Sequence, residues 1–433
     1  MSPDLIAIGG FVVLFVLLVL RVPIGVAMGV VGLGGFAMVT SVTPALNQLA
    51  LSPIRTVTDY SLTLIPMFIL MGSVASASGM SSELYRAANA WIGHFRGGVA
   101  MSTVAACGGF SAICGSSVAT AATMAKVALP EMKRFGYPDS MATGVIAAGG
   151  TLGILIPPSI VLAIYGVLTE QDIGKLFIAG LLPGIMAIVF YLITIRIIMA
   201  VKGGAVPLQA RADWREKFAS LRGIWAISLL FIFIVGGIYG GVFTPSEAAG
   251  MGAMGAIIIS VVRGKLGLRS LFKCLVDAIQ VSAGIFLILI GAILFGYFLT
   301  VTQVPQNIAN TLVGWNLGTY PTLLLILGFL ILLGTVLDAM AMIILMVPIL
   351  YPVSVALGFD PIWFGVIMVM TVELALISPP VGMNIFVISA LARDVAIQRI
   401  YAGVLPFVAA DILRIGAVIL FPAIALYLPG TMK

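Results

Sequence analysis

The chain has 433 residues, of which 61% are apolar and only 9% charged, whereas soluble domains carry about a quarter charged residues. Sixteen acidic and 22 basic side chains cannot coat a water-facing globule of this size, so a soluble protein is excluded and a polytopic helical membrane protein is left. The net charge of +6 would suggest an acidic partner in a soluble chain, but the basic residues gather in loops between apolar runs, where they set orientation, and no nucleic-acid partner is implied.

In chain order, the first apolar run, from Leu5 to Leu20, follows Asp4 and precedes Arg21. That is the reverse of a signal peptide's positive start, so a retained span is expected. Apolar runs at 3–20, 22–39, 61–79, 140–168, 176–200, 223–243, 246–262, 275–299, 361–391 and 403–428 predict ten crossings. Two further apolar pairs, 99–133 and 321–353, fold at glycine-containing centres with halves short for a crossing, which predicts two re-entrant hairpins. The only long polar stretch, 202–222, separates two halves. Cys107, Cys114 and Cys274 lie in apolar surroundings and His94 is the single histidine, so neither a disulfide framework nor a histidine-rich metal site can be built.

Charge counting orients the spans. Arg196, Lys202, Arg211, Arg215, Lys217 and Arg222 crowd one loop, and Arg263, Lys265, Arg269 and Lys273 another, two crossings later. Both are therefore predicted cytoplasmic, together with Arg21, the Arg86 to Arg96 segment, Lys133 with Arg134, and Arg393 with Arg399. Both termini and the 300–320 loop then fall outside.

The halves resemble each other. Ile69-Leu70-Met71-Gly72 answers Ile288-Leu289-Ile290-Gly291, and Ala88-Asn89-Ala90 answers Ala309-Asn310-Thr311. Ile156-Pro157-Pro158 answers Ser378-Pro379-Pro380, and Ala179-Gly180-Leu181-Leu182-Pro183 answers Ala402-Gly403-Val404-Leu405-Pro406. The offsets are 219, 221, 222 and 223 positions. Under the predicted orientation the first repeat begins on an inward span and the second on an outward one, an inverted repeat of the kind that lets one site face either side.

Each repeat pairs a hairpin tip with a span broken by two prolines. Proline removes an amide donor and clashes with the preceding turn, freeing carbonyls that cannot stay unsatisfied in lipid. Carbonyls and hydroxyls at bilayer depth suit sodium, a hard cation, as coupling-ion sites do. In the first repeat Gly115, Ser116, Ser117 and Thr120 are expected to face Gly150, Thr151, Gly153, Pro157 and Ser159. In the second, Gly334, Thr335 and Asp338 are expected to face Thr371, Ser378, Pro379, Gly382 and Asn384. One sodium ion per repeat is the expectation. Small residues also serve close packing and hydroxyls also bond back to their own helix; the tip and break recurring in register is what singles these positions out. Asp338 and Glu373 are intramembrane acids and so functional candidates, as ion ligands or proton carriers. Asp411 and Arg414, three apart, are expected to pair. Lys126 reads as a snorkelling residue.

The words Ile65-Pro66-Met67-Phe68, Gly115-Ser116-Ser117-Val118-Ala119-Thr120, Pro130-Glu131-Met132, Gly150-Thr151-Leu152-Gly153-Ile154-Leu155-Ile156-Pro157-Pro158-Ser159 and Gly240-Gly241-Val242-Phe243-Thr244-Pro245-Ser246-Glu247-Ala248 resemble the large membrane subunit of tripartite ATP-independent periplasmic (TRAP) transporters, from about residue 5 to 428. The resemblance implies an elevator-type secondary transporter of the inner membrane with periplasmic termini, driven by a sodium gradient. Its expected partners are a small membrane subunit and a periplasmic binding protein that delivers an organic anion, such as a C4-dicarboxylate or a sugar acid. It also implies scaffold helices at 1–60 and 223–274, a first repeat at 61–201, a cytoplasmic connector at 202–222 and a second repeat at 275–428. Ser116, Ser117, Thr335 and Asn384 are the candidate substrate contacts by position alone. A proton-coupled carrier, or one that works without a binding protein, is the alternative. An intramembrane hydrolase built on Ser116 or Ser117 would lack an adjacent base, since the one histidine is predicted at the membrane edge.

Overall fold

The computed structural model describes residues 2–201, 209–315 and 317–432. Among them every regular element is a helix. The connector predicted at 202–222 lies partly outside the described residues.

The first half runs α1 (Pro3–Val19), α2 (Ile24–Val39), α3 (Val42–Thr58), α4 (Leu64–Ala77), α5 (Met80–Ile92), α6 (Gly98–Cys114), α7 (Ser117–Arg134), α8 (Asp139–Thr151), α9 (Ile160–Thr169) and α10 (Ile173–Val201). The second runs α11 (Trp214–Tyr239), α12 (Pro245–Val262), α13 (Leu268–Val301), α14 (Val304–Gly314), α15 (Thr319–Gly334), α16 (Ala339–Ala356), α17 (Pro361–Ile377), α18 (Met383–Leu391), α19 (Ile397–Leu420) and α20 (Ala423–Leu426). From α4 to α10 and from α13 to α19 the order is the same: a leading helix, a short helix, a helical hairpin, a broken span and a long closing helix.

Among the described residues six helices are long and apolar enough to cross a bilayer by themselves: α10, α11, α12, α13, α16 and α19. Others, including α1, α2, α6, α9, α15 and α17, are apolar but shorter. The hairpin arms α6, α7 and α15 have 17, 18 and 16 residues. The arm α16 is longer in reach than the sequence reading allows, since 18 apolar residues extend about 27 Å; it carries Pro348 and Pro352 within its length. Three helices had no span assigned in the sequence: α5, α14 and the amphipathic α3, which meets α4 at a bend of 62°.

Chemistry around each helix decides its depth. All of α17 from Trp363 to Ile377 is buried, as is α8 from Met141 to Thr151 and nearly all of α6, so these helices are covered on every face and form the interior. In contrast α1 exposes Leu5, Ile8, Val12 and Val19, and α11 exposes Leu229 and Ile232, a surface suited to lipid tails. Helices interlock across the halves: α7 packs on α18 while α16 packs on α9, and α8 packs on α19 while α10 packs on α17. Helices before each repeat lean on the other repeat's leading helix, α2 and α3 on α13 and α12 on α4. The α2–α13 approach depends on missing side chains. A methyl group on Gly32 would lie 2.5 Å from the Phe295 backbone nitrogen, and one on Gly291 would lie 2.0 Å from the Gly25 carbonyl oxygen. Membrane helices gain little from apolar burial against lipid, so such close backbone packing is what holds them together.

Polar contacts at the rims join residues that the charge count assigned to one side. Lys133 pairs with Asp394, and Arg399 with Asp139 at 3.5 Å. Arg263 holds both oxygens of Glu83 at 2.7 and 2.9 Å, joined by Lys265. Elsewhere Asn307 donates to Asp4 at 3.1 Å, and the Tyr239 and Thr431 hydroxyls lie 2.9 Å apart.

Candidate functional site

Gly115 closes α6 in the left-handed region, with φ of 62°. Ser116 then caps α7, its hydroxyl accepting from the Ala119 amide at 3.4 Å. The tip therefore lies against the α8–α9 break. A methyl group on Gly115 would sit 2.9 Å from the Pro158 carbonyl oxygen, and one on Gly153 would sit 2.6 Å from the Ser116 carbonyl oxygen and 2.9 Å from the Thr120 hydroxyl. That hydroxyl is fully buried and has no hydrogen-bond partner. An orphaned hydroxyl beside a helix carbonyl and an irregular backbone is the oxygen chemistry that a hard cation takes.

The other first-repeat candidates are placed differently. Gly150 packs on Ala121, and the Thr151 hydroxyl donates to the Ala148 carbonyl at 2.7 Å. Pro157 and Pro158 are buried at the break, and Ser159 caps α9 while donating to the Ile154 carbonyl. Ser117 turns from its own break to the second repeat: its hydroxyl donates to Asn384 Oδ1 at 2.8 Å, and the Asn384 amide donates to the Ala147 carbonyl at 3.2 Å. Both residues are buried and bonded to each other, and neither lines the cavity that holds Ser116.

The second repeat is not a copy. Thr335, Thr371 and Ser378 each donate to a carbonyl of their own helix, Leu332, Ile367 and Leu374, at 2.7 to 2.8 Å. Gly334 packs on Ala375 and Met342. Pro379 and Pro380 are exposed, and the Tyr401 hydroxyl donates to the Pro380 and Val381 carbonyls, the latter at 2.9 Å. Gly382, with φ of 65°, lies close to the Leu376 and Ser378 carbonyls. Asp338 caps α16, accepting from the Met340 and Ala341 amides at 2.9 and 3.1 Å.

The two tips line one cavity. A cavity of about 460 Å³ is walled by Ser73 and Ser76 of α4, Ser116 and Thr123 of the first hairpin, Asp277 and Ile285 of α13, and Asp338 and Met340 of the second hairpin. Its polar lining is hydroxyls and two carboxylates, with no lysine or arginine. Asp277 and the α4 serines were missed in the sequence because each lies on a long apolar helix, where only folding shows which face looks inward.

A second buried polar cluster joins the repeats. Arg414 Nη2 donates to Glu373 at 2.6 Å and lies 3.0 Å from Asp411, and the Tyr191 hydroxyl donates to Asp411 at 2.8 Å. The Asp411–Arg414 pairing follows the three-residue spacing; the participation of Glu373 and Tyr191 does not. Lys126 is exposed, Cys107, Cys114 and Cys274 are unpaired and buried, and His94 packs on Phe95.

A family profile described as the DctM component of the tripartite ATP-independent periplasmic transporter matches residues 11–424. The chain belongs to this family. It is similar to the C4-dicarboxylate TRAP transporter large permease protein of Pseudomonas aeruginosa, with 37% identity over 92% of this chain and 93% of that protein. It is also similar to the sialic acid permease of Vibrio cholerae, at 31% over 95% and 96%, and to the ectoine permease of Halomonas elongata, at 32% over 95% and 96%. The fold is shared with the Alcanivorax borkumensis YdaH transporter, at a TM-score of 0.65 with 14% identity over 88% of this chain and 90% of that one. This DctM-family chain is thus a polytopic membrane protein and a TRAP large permease subunit, not an enzyme, and the cargoes named for its relatives differ widely.

Proposed function

We propose that this subunit imports an organic anion, a carboxylate such as a C4-dicarboxylate or a sugar acid, by an elevator movement driven by a sodium gradient across the bacterial inner membrane. The anion arrives on a periplasmic binding protein, and a small membrane subunit completes the carrier. The observation that carries the reading is the cavity that both hairpin tips line, with Ser116 on one side and Asp338 on the other; the orphaned Thr120 hydroxyl lies on the same hairpin as Ser116, against Gly153. A cavity with two carboxylates and no basic group attracts cations, so an anion is held there more readily when sodium is present; that dependence is a physical basis for coupling. The crossed packing of α7 on α18 and α16 on α9 supports the inverted-repeat exchange that alternating access needs. One sodium ion belongs at the Gly115–Ser116 tip with Thr120 and Gly153. A second belongs near Gly382, where the Leu376 and Ser378 carbonyls lie close. Cytoplasmic placement of the Lys133–Asp394 and Glu83–Arg263 rim follows from the density of basic residues, and puts both termini in the periplasm.

The test is reconstitution of the large subunit with its small subunit and binding protein in vesicles, with sodium, proton and potassium gradients imposed separately. Uptake of a carboxylate against its gradient only when sodium is imposed supports the reading. Uptake that follows the proton gradient alone replaces it with proton coupling.

A further inference from the structure

The Glu373–Arg414–Asp411–Tyr191 cluster lies outside the cavity and has no part in the function proposed above. It spans both repeats: Tyr191 is on α10, Glu373 on α17, and Asp411 and Arg414 on α19. All four side chains are fully excluded from solvent. Two carboxylates share one guanidinium, and they share it through a single nitrogen, Nη2, while Arg414 Nε and Nη1 make no bond.

The two acids are not equivalent. Asp411 receives Arg414 at 3.0 Å and the Tyr191 hydroxyl at 3.0 and 2.8 Å on its two oxygens, so both oxygens are satisfied as a carboxylate. Glu373 receives Arg414 on Oε2 only, and its Oε1 is buried with no partner. With both acids ionised the cluster holds one uncompensated negative charge in a dry interior, which costs far more than an unbonded O–H there. Among the described residues no other positive group pairs with it. Of the helices packed on α17, α9, α15 and α16 bring the tyrosines Tyr165, Tyr320 and Tyr351 and the capping Asp338, and α18 and α20 bring no acid or base. The other charges of α8, α10 and α19, namely Asp139, Lys175, Arg196 and Arg399, lie toward the helix ends, as does Tyr401. A metal cation needs several oxygens and here would find one free oxygen beside a guanidinium; a proton needs only one.

We propose that Glu373 carries a resident proton on Oε1, which leaves an Arg414–Asp411 ion pair, and that this neutral cluster fastens the closing helices of the two repeats together. The proton enters as the chain folds and stays through transport, distinct from any coupling ion.

Infrared spectroscopy of the purified full-length protein at neutral pH reads this directly. The expected spectrum contains a carbonyl band of a protonated carboxylic acid that shifts when the protein is labelled with carboxyl-¹³C glutamate. The band is lost in E373Q, with the carboxylate bands unchanged. A band that does not shift on glutamate labelling, or a carboxylate band lost in E373Q in its place, overturns the proposal. The labelling arm needs no substitution, and an unshifted band overturns the proposal even if E373Q does not fold; E373D, which keeps a carboxyl group at this position, is the second variant and should move the band without abolishing it.

Discussion

Thr120 and Ser117 stand three residues apart on α7, yet their hydroxyls serve different repeats. Thr120 is orphaned against its own break, so replacing it by valine removes no hydrogen bond. T120V is expected to keep its melting temperature and to raise the sodium concentration needed for half-maximal uptake by several-fold; an unchanged sodium dependence removes this hydroxyl from the ion site. S117A acts through stability, because it leaves the buried Asn384 Oδ1 without its donor, a loss of about 1–3 kcal/mol. Its melting temperature should fall while sodium dependence holds, and a normal melting temperature would show that Asn384 finds another partner. At the rim, Lys133 donates to Asp394 and holds that carboxyl below the usual carboxylate range. A lowered acid contributes stability above its unfolded value, about 3.9, and loses it as pH falls through the lower folded value. The small melting-temperature gap between the native protein and D394N at neutral pH should therefore narrow as pH falls below the unfolded value and close once it passes the lowered folded value; a gap independent of pH would mean that the ion pair contributes nothing. The sequence spacing exposed Asp411 and Arg414 as partners, but a rotation of α7 by part of a turn separates Thr120 from Ser117, and no pattern in the chain reports that.

Among the elements, the hairpin tips and breaks were legible because glycine, serine and proline punctuate otherwise apolar runs: the predicted hairpin 99–133 is α6 with α7, and 321–353 is α15 with α16. What differed is the second break, whose Pro380 and Val381 carbonyls are bonded by Tyr401, a residue twenty positions downstream with nothing local to mark it. The first break is sealed by contact with the tip, which gives a direct prediction. A methyl group on Gly153 would meet the Ser116 backbone at 2.6 Å, and such overpacking costs about 1–3 kcal/mol. G153A should fold, lower uptake strongly and lose its sodium response, while G136A, which meets nothing within 4 Å but has positive φ, serves as a comparison for backbone strain alone. Equal uptake by G153A and the native protein would show that the tip need not touch the break. The missed helices α3, α5 and α14 share one cause: each is amphipathic or polar enough to fall below a spanning pattern, so it is placed by the rims it bridges and not by its own hydropathy.

At the scale of the molecule, a sodium ion that binds only the folded state stabilises it by RT ln(1 + [L]/Kd), about 2.7 kcal/mol at a hundredfold excess over Kd. The melting temperature of the purified subunit should rise with sodium and not with potassium or choline at matched ionic strength, and an equal response to all three salts would move coupling to protons. Composition by itself determined that the chain is helical and lies in a membrane, because 9% charge cannot solvate a globule and lipid admits only backbones that bond internally. Repeated words at nearly constant offset likewise determined the two halves and the tip and break in each. Only the tertiary structure decided which hydroxyl is left open, that both tips wall one cavity with Asp277, and that Glu373 joins Arg414 across 41 positions. These are facts of rotation about helix axes and of contacts between distant helices, set by packing of the whole bundle, and a linear pattern of apolar residues carries no record of them.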